Sequence, residues 1–322
     1  MSFFAVLFAL IVEQVKPLPR DNWVHDSLTA WVRWTGRNFD AGQPKHARIV
    51  WAVTALVPAL IAWAIHFALS QYVSFFLALA FDVAVLYLTL GFRQFSHYFT
   101  DIRDALERGD EDQARSLLAE WRHLDTSELP RTELLRHVIE HSLLAAHRHV
   151  FGVFFWFVVL SGLGLGPAGA VLYRMAEFAS RYWAFKSLSL GVAVNEGLRD
   201  LSQKAFALID HVPARLTAFG FAVVGNFEEA VAGWRRDAEL WKHANEGIIL
   251  AAAAGAVGVQ LGAPAPQASH RIAPSPSPSG SMPPTAKPQA RHQGCRLSWR
   301  TWALSWVWCG ARWSCGCCCW PC

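Results

Sequence analysis

Ile49-Val50-Trp51-Ala52-Val53-Thr54-Ala55-Leu56-Val57-Pro58-Ala59-Leu60-Ile61-Ala62-Trp63-Ala64-Ile65-His66-Phe67-Ala68-Leu69 opens an apolar run that continues to Phe92. Over its 44 residues, His66 and Asp82 are the only side chains able to carry charge near neutral pH. A helix crosses a bilayer with about 20 apolar residues. The run therefore suffices for two crossings, Ile49–Leu69 and Tyr72–Phe92, with a turn at Ser70-Gln71. The expected fold class is all-α, a polytopic helical membrane protein with cytoplasmic helical loops.

Outward from this hairpin the chain alternates apolar and charged blocks. Charged residues make up 17% of the 322, so more than half of the chain is expected outside the lipid. Ser2–Val12 is apolar but too short to span alone. It lacks a basic leader and a small-residue cleavage site, so residues 1–15 read as a retained N-terminal membrane helix and 16–48 as a cytoplasmic loop. Lys and Arg number six in residues 16–48 and eight in 93–149, which places both flanks of the hairpin on the cytoplasmic side of a bacterial inner membrane. The block Val150–Tyr173 is broken at Gly162-Leu163-Gly164-Leu165-Gly166-Pro167. A single crossing would put the nine Lys/Arg of 174–242 outside. A re-entrant or broken hairpin returns them to the cytoplasm and is the preferred reading, with 174–262 cytoplasmic or interfacial.

Residues 93–149 read as soluble helices. Leu106, Leu117, Leu118 and Trp121 recur at helical spacing, Gly109 can end one helix in a left-handed conformation and Asp110 can cap the next. Asp125-Thr126-Ser127-Glu128 resembles a further helix start, followed by the stripe Leu134, Leu135, Val138 and Ile139. Eight basic residues against eleven acidic ones in 93–149 argue against a nucleic-acid surface. The partners expected are the bilayer and a protein on the cytoplasmic side.

Several side chains invite a chemical reading. His137 and His141 share a helix face, with His147 and His149 close behind, but a zinc site needs three or four ligands and Glu140 is expected to point elsewhere. No metal and no cofactor is expected. These histidines, with Arg136 and Arg148, read instead as a cationic cluster facing anionic lipid. Asp82 lies near mid-helix, where an ion costs at least about 2.5 kcal/mol, and His66 is its candidate intramembrane partner. Pro213 is suited to a first helical turn. Arg215 fits a phosphate or carboxylate, or snorkels to lipid headgroups. Glu228-Glu229 read as the first turn of a further helix.

Blocks in a shared order carry a family resemblance: Ala105–Asp110, Ala114–Leu118, Asp125-Thr126, Gly166–Arg174 and Pro213–Leu216. Over residues 1–240 the chain resembles the CobD/CbiB membrane proteins of cobalamin biosynthesis. Ile11–Gln14 and Asp210–Leu216 are similar to the related AmpE proteins, linked to β-lactamase induction. The first resemblance implies joining of an aminopropanol-type amine to a carboxyl group of the corrin ring. It also implies an acidic Glu-Asn-x-x-Asp-Gly stretch before the broken block, yet no Asp, Glu or Asn occurs from His141 to Ala176. An ungapped forward alignment puts Leu144, Ala145 and Arg148 at the polar positions; a gapped backward one puts Ala146, His147 and Val150 there. A second family stretch falls on Glu177–Lys186, where Lys186 is retained and Ser180 replaces the Asp. An Asp pair becomes Phe206 and Ala207. Lys186, Arg215 and Asp210 remain as candidate ligand-binding residues, with no catalytic residue assigned.

All seven cysteines follow residue 294 and no acid follows Glu246. Back-translation of Ala311–Cys322 in a shifted frame gives an apolar helix, so 263–322 is expected to be a disordered, frame-shifted tail. The expected function is that of a non-catalytic CobD/CbiB–AmpE relative with a regulatory or sensory role. The alternative is an adenosylcobinamide-phosphate synthase. A transporter is disfavoured by the few spans and the lack of a repeat.

Overall fold

The computed structural model describes residues 2–15, 23–39, 44–90, 92–122, 129–188, 195–241, 243–259 and 261–262. Regular structure among them is entirely helical: α1 Ser2–Val15, α2 Trp23–Phe39, α3 Pro44–Tyr72, α4 Phe75–Thr89, α5 Phe92–Glu107, α6 Glu111–Arg122, α7 Arg131–Ala146, α8 Gly152–Gly162, α9 Ala168–Leu188, α10 Glu196–Ile209, α11 His211–Val224, α12 Phe227–Asp237 and α13 Ala244–Val257. The tail from residue 263 and the helix start expected at Asp125–Glu128 lie outside the described residues.

The apolar hairpin is α3 and α4, and its turn falls at Val73-Ser74 instead of Ser70-Gln71. Ser74 provides the reason: its hydroxyl accepts from Phe76 N–H and caps α4. This shift puts His66 eight residues before Ser74 and Asp82 eight residues after it, at one depth. His66 Nδ1 and Asp82 Oδ1 meet at 2.7 Å. Leu60 (57%), Ile61 (53%) and Phe76 (78%) remain exposed on the outer faces, available to hydrocarbon.

Among the described residues two single helices have the length and apolar composition to cross a membrane, Lys45–Tyr72 and Arg131–Gly162. The second joins α7 and α8 through one wide π turn, His147–Phe151. The boundary expected at residue 149 thus falls inside a continuous helix, because His147 and His149 face the protein interior and their polarity does not end the helix. The block expected to break at Gly162–Pro167 does turn there, with Gly164 and Gly166 at φ 79° and 56°. The returning helix α9 runs on to Leu188 and carries Arg174, Glu177, Arg181 and Lys186. It packs antiparallel to α3: Val50 and Trp183 share one cluster, and His66 meets the turn at Gly166 near the other end. A bent pair, α10 and α11, forms a third candidate span with a 49° break at Asp210.

The remaining helices brace this frame. Ala5 and Ala9 of α1 pack on Leu86 and Leu90 of α4. The stretch 16–48, expected as a loop, contains α2, which is joined to α3 by a buried Thr35–Thr54 hydroxyl pair at 2.8 Å. Gly109 takes φ 81°, Asp110 caps α6 through Gln113 N–H at 2.9 Å, and Leu106, Leu118, Leu134 and Val138 form the α5–α6–α7 core. Asn226 caps α12. A Cβ at Gly255 would lie 2.2 Å from Glu229 O, so α12 and α13 pack backbone to backbone.

Candidate functional site

The π turn in Arg131–Gly162 brings His147 and Arg148 to the same side as the α10–α11 break. π turns recur at functional sites. His147 is 1% exposed and Asp210 4%, and His147 Nε2 lies 2.8 Å from Asp210 Oδ1. On the other side of the ring, Nδ1 lies 2.9 Å from Thr217 Oγ1. Tyr173 OH donates to Asp210 Oδ1 at 2.8 Å. Asn245 Nδ2 donates to Asp210 Oδ2 at 3.3 Å and to Ala207 O at 2.8 Å. A buried carboxylate needs such donors, and the three helices carrying His147, Tyr173 and Asn245 supply them.

Local sequence explains the convergence. Asp210 sits where α10 ends and α11 begins, so it is aimed by the break itself. Tyr173 reaches it only because residue 152 is glycine; a Cβ there would stand 2.1 Å from the Tyr173 ring. Gly169 allows α9 to press on α8, where a Cβ would be 2.0 Å from Trp156 O. Asn245 lies in the first turn of α13.

Asp210 and His147 line a cavity of about 290 Å³ shared with Arg148, Arg181, Ser180 and Glu246. Arg148 Nη2 donates to Glu246 Oε1. Beside it, Glu177 is fully buried between Arg174, at 2.9 Å, and Arg181. The lining holds two carboxylates and two guanidiniums, a layout able to hold a small polar molecule and move a proton. Among the described residues no group of three or more His, Cys, Asp or Glu could hold a metal ion.

The expected site residues separate. Asp210 lies at the cavity. Lys186 does not line it, and Arg215 donates along its own helix to His211 O at 2.8 Å. The expected lipid-facing cationic cluster is not formed. Arg136 pairs with Glu133 and Glu140, Arg148 with Glu246, and His137 Nδ1 lies 3.6 Å from Glu140, which also accepts Gly262 N–H. His141 meets the edge of Trp121. The acids at this cavity, Asp210 and Glu246, lie later in the chain than the acid-free stretch 141–176. Tyr173, Thr217 and Asn245 were missed because the bonds to Asp210 and His147 span 35 to 70 residues. One signal was available: Asp210 is a lone acid in the apolar stretch Ala205–Val224.

Comparison with known proteins gives a match of residues 3–292 to the family model described as CobD/Cbib protein. A protein of Stutzerimonas stutzeri named cobalamin biosynthesis protein CobD is 30% identical over 221 residues, 69% of this chain and 68% of the relative. One of Chromobacterium violaceum with the same name is 35% identical over 183 residues, 56% of this chain and 54% of the relative. A third, from Leptospira interrogans, is 24% identical over 80% of each chain. These matches lend no support to the AmpE side of the resemblance or to a signalling role. No solved structure matches the chain.

Proposed function

The chain belongs to the CobD/CbiB family of membrane proteins, and on that premise we propose that it performs the amide-forming step of cobalamin assembly. In this reading it is an adenosylcobinamide-phosphate synthase that joins an aminopropanol-type amine to a carboxyl group of the corrin ring. The relatives' names support the pathway. The observation that carries the reading to this chain is Asp210, buried and held by His147, Tyr173 and Asn245 on a cavity lined with arginines. It replaces the non-catalytic reading, whose premise is the loss of the family's carboxylates from 141–176 and at residues 180, 206 and 207.

The chemistry sets what the residues must do. An alkylammonium has to lose a proton before its nitrogen can attack the carboxyl carbon, which a nucleoside triphosphate co-substrate first converts to an acyl phosphate. The C–N bond forms as the C–O bond to phosphate breaks and inorganic phosphate leaves. A positioned carboxylate is a suitable acceptor of the amine's proton. Asp210 takes that role. His147, with Thr217 donating to Nδ1, keeps Nε2–H directed at Asp210 and fixes the carboxylate's orientation. Arg148 and Arg181 are placed to orient a carboxyl partner through their planar donor forks. About 290 Å³ is the lower end of small-ligand sites. The cavity therefore takes the amine, and the macrocycle presents one side chain at its mouth. The excess of Lys and Arg flanking the first hairpin supports a multi-pass inner-membrane location with those flanks cytoplasmic.

The test is rescue of a cobalamin-auxotrophic strain lacking its own CobD/CbiB protein. Wild type is expected to restore growth. Asp210→Asn, accumulating in the membrane at the same level, is expected to leave it at about a hundredth or less of the wild-type activity. Wild-type protein present at normal level without rescue refutes the reading.

A further inference from the structure

A second concavity lies behind the site, and the proposed chemistry makes no use of it. It is a groove of about 930 Å³ between α8, α11 and α13, walled by Phe155, Val158, Leu216, Gly220, Phe221 and Ala253. Among the described residues Thr217 is the one lining side chain with a hydroxyl, and that hydroxyl is already engaged by His147 Nδ1. A buried water needs two to four polar partners, and the described side chains of this groove offer none free. Two walls belong to candidate spans, the Arg131–Gly162 helix and the α10–α11 pair. The groove is continuous with the outward apolar face of those helices, where Phe151 is 44% exposed, Val158 51% and Leu216 52%. The medium at that surface is hydrocarbon.

We propose that the groove is a binding site for one acyl chain of a bilayer phospholipid. The chain lies against Thr217 from the side opposite His147, so that it seals the His147–Thr217 hydrogen bond from water. Gly220 lines the groove, and a Cβ at this position would meet no atom within 4 Å, so a side chain built there starts into open space. Replacing a helical glycine also favours the helix by up to about 1 kcal/mol, so a filled groove is compatible with an intact fold.

The experiment is native mass spectrometry of the full-length protein released from nanodiscs of phosphatidylethanolamine and phosphatidylglycerol. Wild type is expected to retain a lipid adduct at detergent concentrations that strip Gly220→Leu, with retention about tenfold weaker in the variant. Gly162→Leu is the control: its Cβ also meets nothing within 4 Å, at the far end of α8, and it is expected to retain lipid as wild type does. Equal retention by wild type and Gly220→Leu overturns the proposal. So does a lipid-free dimer dissociated by Gly220→Leu, because a second copy would then occupy the groove.

Discussion

A Cβ at Gly152 would stand 2.1 Å from Tyr173 Cζ and 2.2 Å from its hydroxyl oxygen. Gly152→Ala must therefore push the ring aside and break its bond to Asp210. Overpacking of this kind costs about 1–3 kcal/mol, and we expect a matching loss of thermal stability in detergent, with cobalamin-dependent growth reduced. Glu177 gives a second test. Glu177→Gln, which leaves Arg174 and Arg181 without the carboxylate they share, should unfold more easily in detergent than wild type; equal thermal stability of the two contradicts a structural role for this pairing. The Glu177 pairs are local, at i,i+3 and i,i+4 on one helix, whereas the Gly152–Tyr173 and Tyr173–Asp210 contacts join helices apart in sequence and leave no local motif.

Among the elements, the α3–α4 hairpin was the most legible, since two uninterrupted apolar stretches leave little choice of structure. Its turn was misplaced by three residues because Ser70-Gln71 is the more polar pair, whereas the chain turns where Ser74 can cap α4. The correction matters for the His66–Asp82 pair, which forms only when both residues reach the same depth. Removing one partner of a buried pair costs about 3–5 kcal/mol. His66→Leu is expected to lower resistance to denaturing detergent by that order, and His66→Leu with Asp82→Leu to recover most of it. A double variant no better than the single one would show that the pair does more than neutralise Asp82. The stretch containing α2 was read as a loop because its apolar residues are spread around one face and form no continuous run. The helix across residue 149 reads as two elements in the sequence because its central histidines and arginine have the polarity of surface groups.

For the whole molecule, the sequence pattern led to a helical membrane protein, and ordered short blocks led to the family. The site was half legible: Asp210 was singled out, but its partners come from three other helices, and proximity of that kind leaves no periodic trace. The arrangement of spans makes a further prediction. Arg131 lies 3.7 Å from Glu111 at the start of α6, and Gly164 lies just past the far end of the same long helix. Epitope tags inserted after Gly109 and after Gly164 should be accessible from opposite sides of the membrane, with the first on the cytoplasmic side; labelling of both from one side would contradict a single crossing by 131–162. The π turn ties these levels together. It sets a rotational offset between the two halves of one shaft: Leu134 and Val138 engage α5 and α6 below it, and Val153 and Phe157 engage α4 and α9 above it. Deleting a single residue there would turn one half by about 100° relative to the other, and one of the two seams would have to let go. Length in this stretch is thus constrained independently of side-chain identity: a one-codon deletion between His147 and Phe151 breaks the packing whichever residue is lost.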